Sequence, residues 1–346
     1  MTDPRPGLGG CRLTALMRQA IERCALDLSG LTVLTEAATG AYVVTPVLAA
    51  MAGAERVFAV TRDTRYGTVD EVYAATMELA GHSGTENRIE IVTGKADAIV
   101  SRADIITNSG HVRPIDARMI AAAKPGAVVA LMYESWEFRP GDVDLDACRR
   151  AGVLVGGTTE RHPRIDVFSY LGPMAVRLLH DAGVAVYRSS ILLVCDNLFR
   201  TYLERGLRAS GARVESTDRI DAAPGDSFDA IVVSLTPRGE PVLGAADACA
   251  IKARWPSAVV AQFWGDIDRA AFCATGIPVW APEPPKPGHM GILLSDLGPE
   301  PIVRLQAGGL KAAEALWRHK AGAPGAQLEY VDTLLPPGLE QCHESY

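Results

Sequence analysis

Leu31-Thr-Val-Leu-Thr-Glu-Ala-Ala-Thr-Gly40 is a β-branched, apolar run that breaks into a glycine-containing turn, and a helical apolar pattern over residues 42–52 follows it. Gly53 stands where a helix C-cap belongs, and Arg56-Val-Phe-Ala-Val-Thr61 supplies the next strand. Strand, turn, helix and strand in this succession make one βαβ unit, which commits the surrounding chain to a parallel sheet.

Outward from that unit the alternation continues. A helix over 13–28 precedes it, closed by Leu28-Ser-Gly30. After it come a helix over 69–81, strands over 89–92 and 104–108, a helix over 115–123, a buried strand over 127–133, a helix over 145–151 and a strand over 153–155. Such alternation predicts a parallel sheet covered on both faces. A connecting helix over 167–182 leads to a second alternation that opens with Ser190-Ile-Leu-Leu-Val-Cys195 and continues through strands at 213–215, 229–234, 258–264 and 277–280. That order suggests a flavodoxin-like half. The loop Ala281-Pro-Glu-Pro-Pro-Lys-Pro-Gly288 is too rich in proline for regular structure. A last helix over 302–320 leads to a polar tail from Ala321, expected to be mobile or used in subunit contact.

The fold expected is therefore α/β, with two doubly wound, Rossmann- or flavodoxin-like domains, parallel sheets and an interdomain cleft. The expected division is an N-terminal helical segment (1–28), a Rossmann-type nucleotide-binding domain (29–184), a smaller flavodoxin-like domain (185–300), and a C-terminal helix and tail (301–346).

Composition narrows the functions. The 346 residues are 48% hydrophobic and 22% charged, enough to bury sizeable cores. The net charge of −7, without a run of lysine or arginine, argues against a nucleic-acid partner. The longest apolar stretches have strand length, so no membrane span is expected. The opening MTDPRPGLGG lacks the basic and apolar regions of a secretory leader, which places the expected protein in the cytoplasm. The seven cysteines are scattered without C-x-x-C pairs, which suits reduced thiols and no metal site.

In doubly wound sheets ligands sit outside the carboxyl ends of the strands, and that rule selects the candidate residues. Thr35, Ala37 and Gly40 have the spacing of G-x-G-x-x-G, with Thr39 beside them, but only the last glycine is kept. The turn is either a modified phosphate turn or an ordinary βα turn, and Glu36 would repel phosphate unless it faces elsewhere. After the second strand, where an acid usually holds a ribose hydroxyl, the chain has Thr61-Arg-Asp-Thr-Arg65. Arg62 and Asp63 are therefore cofactor candidates, the arginines Arg62 and Arg65 favour NADP over NAD, and surface ion pairing among Arg62, Asp63 and Arg65 is the alternative.

Thr107-Asn-Ser-Gly-His-Val-Arg113 follows a strand and offers Asn108, His111 and Arg113. Leu131-Met-Tyr-Glu-Ser-Trp-Glu-Phe-Arg139 gathers Glu134 and Glu137, an acid–base pair if burial raises a pKa, and Arg139, a clamp for a carboxylate; a structural ion-pair knot is the alternative. Gly157-Thr-Thr-Glu-Arg-His162 brings His162 to the same edge, fixed by the following proline. In the second half His289 lies in the glycine-bracketed loop Gly288-His-Met-Gly291. Elbow, Walker and H-E-x-x-H motifs do not occur.

Leu28-Ser-Gly-Leu-Thr-Val33 with its following turn, Ala103-Asp-Ile-Ile-Thr107, and residues 119–129 with Lys124-Pro-Gly-Ala127 resemble the cofactor domain of the D-2-hydroxyacid dehydrogenases and their adenosylhomocysteinase relatives. Residues 191–234 resemble that family's substrate domain, here placed after the cofactor domain, a permuted order. Two fingerprint glycines and the ribose acid are replaced, and the family's catalytic arginine position falls near 133–135, so its catalytic set does not transfer. The resemblance implies an NAD(P)-dependent oxidoreductase acting on a small, carboxylate-bearing metabolite in an interdomain cleft; the strand-end residues themselves, not the family's set, offer His111, Glu134, Glu137 and His162 as acid–base groups and Asn108, Arg113, Arg139 and His289 about the substrate. A homodimer is expected by the same analogy. The alternatives are a non-redox lyase or group-transfer enzyme that has lost the dinucleotide and uses no cofactor, and a catalytically silent scaffold protein.

Overall fold

The structure is a computed structural model that describes residues 5–225 and 227–335. They divide between a first unit, drawn from Met1–Val167 and Gly298–Tyr346, and a second, Phe168–Leu297. This differs from the expected division at both ends. The helix expected to close the first half opens the second unit, and the C-terminal helix, expected to stand apart, is part of the first.

The first unit runs α1 (Gly10–Cys24), β1 (Thr32–Glu36), α2 (Val44–Met51), β2 (Arg56–Val60), α3 (Val69–Gly81), β3 (Ile89–Val92), α4 (Asp97–Val100), β4 (Ile105–Thr107), α5 (Ala117–Ala122), β5 (Val128–Ala130), α6 (Leu145–Ala151) and β6 (Leu154–Thr158). Local chemistry sets the ends. α1 stops short of residue 28 because Ala25 turns left-handed at φ 47° and its N–H closes on Glu22 and Ile21. α5 starts at 117 because Asp116 accepts the Met119 N–H at 2.8 Å. The helix expected from residue 42 is a 3₁₀ turn, Gly40–Val43, leading into α2.

The second unit runs α7 (Leu171–Asp181), β7 (Ser190–Cys195), α8 (Phe199–Ala209), β8 (Arg213–Thr217), β9 (Ala230–Ser234), α9 (Ala245–Arg254), β10 (Val259–Trp264), α10 (Arg269–Thr275) and β11 (Val279–Trp280). Its five strands are parallel in the order β8-β7-β9-β10-β11, the flavodoxin-like order expected. Phe168, Phe199 and Leu203 belong to the core on one side of the sheet; Phe228, Trp255 and Phe272 belong to that on the other. α7 and α8 approach so closely that a Cβ on Gly172 would lie 2.6 Å from the Gly206 Cα.

The chain then returns to the first unit through α11 (Pro299–Lys320) and β12 (Val331–Leu335). The tail, expected to be mobile or used in subunit contact, instead supplies a strand within the unit: β12 pairs antiparallel with β6, and the rest of the tail, 336–346, lies outside the described residues. The full sheet has the order β12-β6-β5-β4-β1-β2-β3 with β1–β6 all parallel, the doubly wound 3-2-1-4-5-6 arrangement with one antiparallel edge strand added. Val33, Leu34, Ile105, Ile106, Val128 and Val129 are fully buried, as continuous apolar strands covered on both faces must be. α11 presses on this sheet through Gly308 and Gly309, where a Cβ would come within 2.8 Å of Ile165 and 2.6 Å of Met132. Among the described residues no helix is long and apolar enough to cross a membrane.

Candidate active site

In the 3-2-1-4-5-6 order the connections reverse direction between β1 and β4, so the loops after these strands part and leave a crevice at their carboxyl ends. Thr35 lies inside β1, as expected of the strand, and is fully buried; its hydroxyl takes a hydrogen bond from Thr107 at 2.8 Å, while Glu36, expected to open the turn, ends the strand. Ser109 is bonded to both. The turn proper is Ala37 to Gly40: the Ala37 N–H is held by Val60 at 2.9 Å, and Gly40 adopts φ +65°, a conformation glycine takes without strain. Thr39 donates to the Tyr66 carbonyl at 3.0 Å.

Glu36 does not face the start of α2. Its Oε2 accepts the backbone N–H of His111 at 3.2 Å. Burial pushes its carboxyl above the usual range, opposed by the His111 and Gly110 N–H groups and the Arg113 charge. Gly110 makes room, since a Cβ there would sit 3.0 Å from Oε2.

At the end of β2, Arg62 is exposed and makes no side-chain hydrogen bond or ion pair among the described residues. Asp63 is turned away, accepting the Val69 N–H at 2.8 Å at the start of α3, and Arg65 lies over the Tyr66 ring at 4.6 Å. No ion pair joins the three among the described residues. After β4, Asn108 is buried; its Oδ1 holds the Met132 N–H at 2.9 Å, while its Nδ2 has no partner in bonding geometry, although it lies close enough to the Tyr133 hydroxyl to oppose that group's upward shift. The enclosed Nδ1 of His111 and the Thr61 hydroxyl also lack partners. Three orphaned polar atoms at the ends of β2 and β4 form the kind of lining a polar ligand satisfies.

Arg113, expected to be free, is committed to Asp142 at 2.9 Å, and the Tyr133 hydroxyl donates to the same carboxylate at 2.6 Å. Arg139 is exposed beside Glu137. Glu134 is buried and accepts from three groups: the Glu160 N–H at 3.1 Å, Arg161 Nε at 3.3 Å and Trp136 Nε1 at 2.9 Å. Burial pushes Glu137 up to about 7, with the Glu134 charge adding and Arg139 opposing. Glu160 is raised well above the usual range by burial and by Glu137 and Glu134. Tyr42, on the 3₁₀ turn after β1, is pushed up to about 12, first by burial and then by the charges of Glu36, Glu137 and Glu160. Side chains following β1, β5 and β6 thus form one acidic group.

The structure does not bring His162 into that group. Its ring stacks on Tyr330 at 4.0 Å, its Nδ1 takes the Arg164 N–H at 3.2 Å, and burial holds its pKa down with Glu329 and Arg164 as its charged neighbours. His289 lies in the second unit, its N–H on the Lys286 carbonyl at 2.9 Å. Sequence reasoning missed Glu160, Tyr42 and Asp142. Glu160 was legible, because it stands in the same strand-end run as His162; Tyr42 was hidden by its helical context. Among the described residues no group of three His, Cys, Asp or Glu side chains is placed to hold a metal.

No family model matches the chain, and no curated protein matches it in sequence. Among solved structures it is similar to a dipicolinate synthase from Bacillus halodurans, at 13% identity, TM-score 0.51, and 81% of this chain and 96% of that one covered. It is similar also to a dipicolinate synthase from Bacillus subtilis, at 10% identity, TM-score 0.55, and 86% and 99% covered. A formate dehydrogenase from Staphylococcus aureus in complex with NAD aligns at 12% identity, TM-score 0.49, over 88% and 98%. At these identities the likeness is one of fold, the two-unit α/β architecture expected from the sequence.

Proposed function

We propose that the chain is an NAD(P)-dependent oxidoreductase acting on a small, carboxylate-bearing metabolite. The observation that carries the reading is the doubly wound strand order with an unpartnered arginine, Arg62, at the end of β2, where the ribose of a dinucleotide falls in this arrangement. Asp63 is engaged at α3, so the position offers a cation and favours NADP. The turn Ala37 to Gly40 would take the pyrophosphate, and Glu36, turned to the loop after β4, does not oppose it. The orphaned atoms of Asn108 and His111 suit a polar group laid across the ends of β1 and β4.

A bound nicotinamide would supply hydride transfer. Glu137 holds a proton near neutral pH and exchanges it with the substrate oxygen, because a group with a pKa near the working pH is an effective acid and base. Glu134, fixed by three donors, helps keep Glu137 and Glu160 protonated by its charge. Arg139 binds the substrate carboxylate as the exposed cation beside Glu137, and Tyr133, Asp142 and Arg113 stiffen the loops on either side.

The test is titration of the purified protein with NADPH, NADH, NADP and NAD, followed by nicotinamide fluorescence and thermal shift. Binding at roughly micromolar concentration with a rise in the unfolding midpoint is expected. The absence of binding at millimolar cofactor would overturn the proposal.

A further inference from the structure

Lys95, which follows β3, was not among the candidate residues, yet its Nζ lies in the loop after β4, donating to the carbonyls of Val112 at 2.9 Å and Pro114 at 2.6 Å. Those bonds fix the ammonium next to His111. The Arg62 charge acts on both Lys95 and His111, so three basic groups from the ends of β2, β3 and β4 converge. The acid that acts on Lys95 is Asp116, whose Oδ1 is occupied at the start of α5, and Glu36 spends its Oε2 on the His111 backbone.

We propose that Arg62, Lys95 and His111 form one anion site that takes a phosphate monoester. Two observations that do not depend on charge point to a ligand there. The fully buried Thr61 hydroxyl, next to Arg62, has no partner, and neither has His111 Nδ1. Burial holds both Lys95 and His111 below their usual ranges; the Arg62 charge pushes His111 further down, and at Lys95 it acts against the larger upward pull of Asp116. Gathering like charges in a partly desolvated place is unfavourable, and an anion among them reverses the sign of the interaction. Arg62 offers a planar fork, Lys95 one remaining N–H and a point charge, and His111 and Thr61 neutral hydrogen bonds, a donor set matched to the three oxygens of a phosphate monoester. The assignment takes His111 out of proton transfer. The site stands on its own geometry; its reading as the subsite for a ribose phosphate rests on the dinucleotide proposal above.

The experiment is isothermal titration of the full chain with NADP, NAD, adenosine 2′,5′-bisphosphate, adenosine 5′-phosphate and inorganic phosphate. Wild type is compared with Arg62→Ala, Lys95→Met and His111→Gln. The bisphosphate is expected to bind about tenfold or more tighter than the monophosphate, as one charge-assisted contact provides. Each substitution should shrink that gap while changing NAD affinity much less. Lys95→Met also removes two loop contacts, so Arg62→Ala, on an exposed side chain without partners, carries the test if Lys95→Met fails to fold. If NAD and NADP bind equally and Arg62→Ala changes neither, the anion site is overturned and the dinucleotide reading stands. If no nucleotide binds but inorganic phosphate does, with loss in Arg62→Ala, the anion site holds and belongs to a phosphorylated substrate, and the dinucleotide reading falls. Binding of none of these ligands at millimolar concentration overturns both.

Discussion

Glu36 Oε2 accepts the backbone N–H of His111 at 3.2 Å, so a buried carboxylate from the last residue of β1 anchors the loop that follows β4. The bond spans the switch point of the sheet. Removing the carboxylate leaves buried N–H groups without an acceptor, at a cost of about 1–3 kcal/mol. Glu36→Ala is expected to lower stability by that amount in urea denaturation, and Glu36→Gln, which keeps an acceptor oxygen, by less. Equal losses would show that the anchor is not a hydrogen bond.

The Glu137 carboxyl titrates at about 7 in the folded chain against an ordinary value of 4.5. A carboxyl raised by folding leaves the native state holding more protons than the unfolded one. Stability is therefore greatest below the unfolded value and falls as pH rises through that window, levelling off above about 7. Denaturation midpoints measured from about pH 4.5 to about pH 8 should decline in wild type and decline less in Glu137→Gln. The same variant should lose its rate by about 10²-fold or more and with it the pH-rate limb near neutrality, if Glu137 moves the proton. A limb that survives would place the proton on another group.

Lys311 and Glu314 are buried together on α11, 2.9 Å apart, and Glu314 also accepts from Asp27 N–H at 3.0 Å and Arg318 Nε at 2.7 Å. Breaking such a pair by removing one partner costs about 3–5 kcal/mol, because the remaining charge stays desolvated. Lys311→Met should fall at or somewhat below the bottom of that range, since Arg318 still faces Glu314, and the double variant Lys311→Met/Glu314→Leu should recover part of the loss. A double-mutant cycle in guanidinium checks this, and additive losses would deny the coupling.

Gly206→Ala places a methyl against the Gly172 backbone, which cannot yield as a side chain can. A loss of about 2–3 kcal/mol or more is expected, read as a lowered unfolding midpoint of the chain. Gly141→Ala, where a Cβ meets nothing within 4 Å, serves as the control and should stay within about 0.5 kcal/mol.

The sequence by itself determined the architecture of both units. Alternating β-branched runs and amphipathic segments have different periods, and those periods are local, so β1 to β11 and their helices could be read from single windows. The strand-end rule likewise found the loops that carry the candidate site, because it depends only on chain direction in a parallel sheet. It found Glu134 and Glu137 and brought Glu160 to the same edge in the run with His162, without choosing it as a site residue.

Only the tertiary structure decided what depends on pairing between distant residues. β12 stands outside the strand–helix alternation, after the last helix, and takes its place because β6 offers it a sheet edge. Whether an arginine is free or spent cannot be read from its neighbours: Arg113 is paired by Asp142, while Arg62 lacks a partner because Asp63 is used at α3. The protonation of Glu137 comes from burial and from the Glu134 charge, and Lys95 joins Arg62 and His111 because its ammonium binds carbonyls on another loop. Electrostatics and hydrogen bonding act through space over a few ångströms, and sequence spacing does not encode that distance.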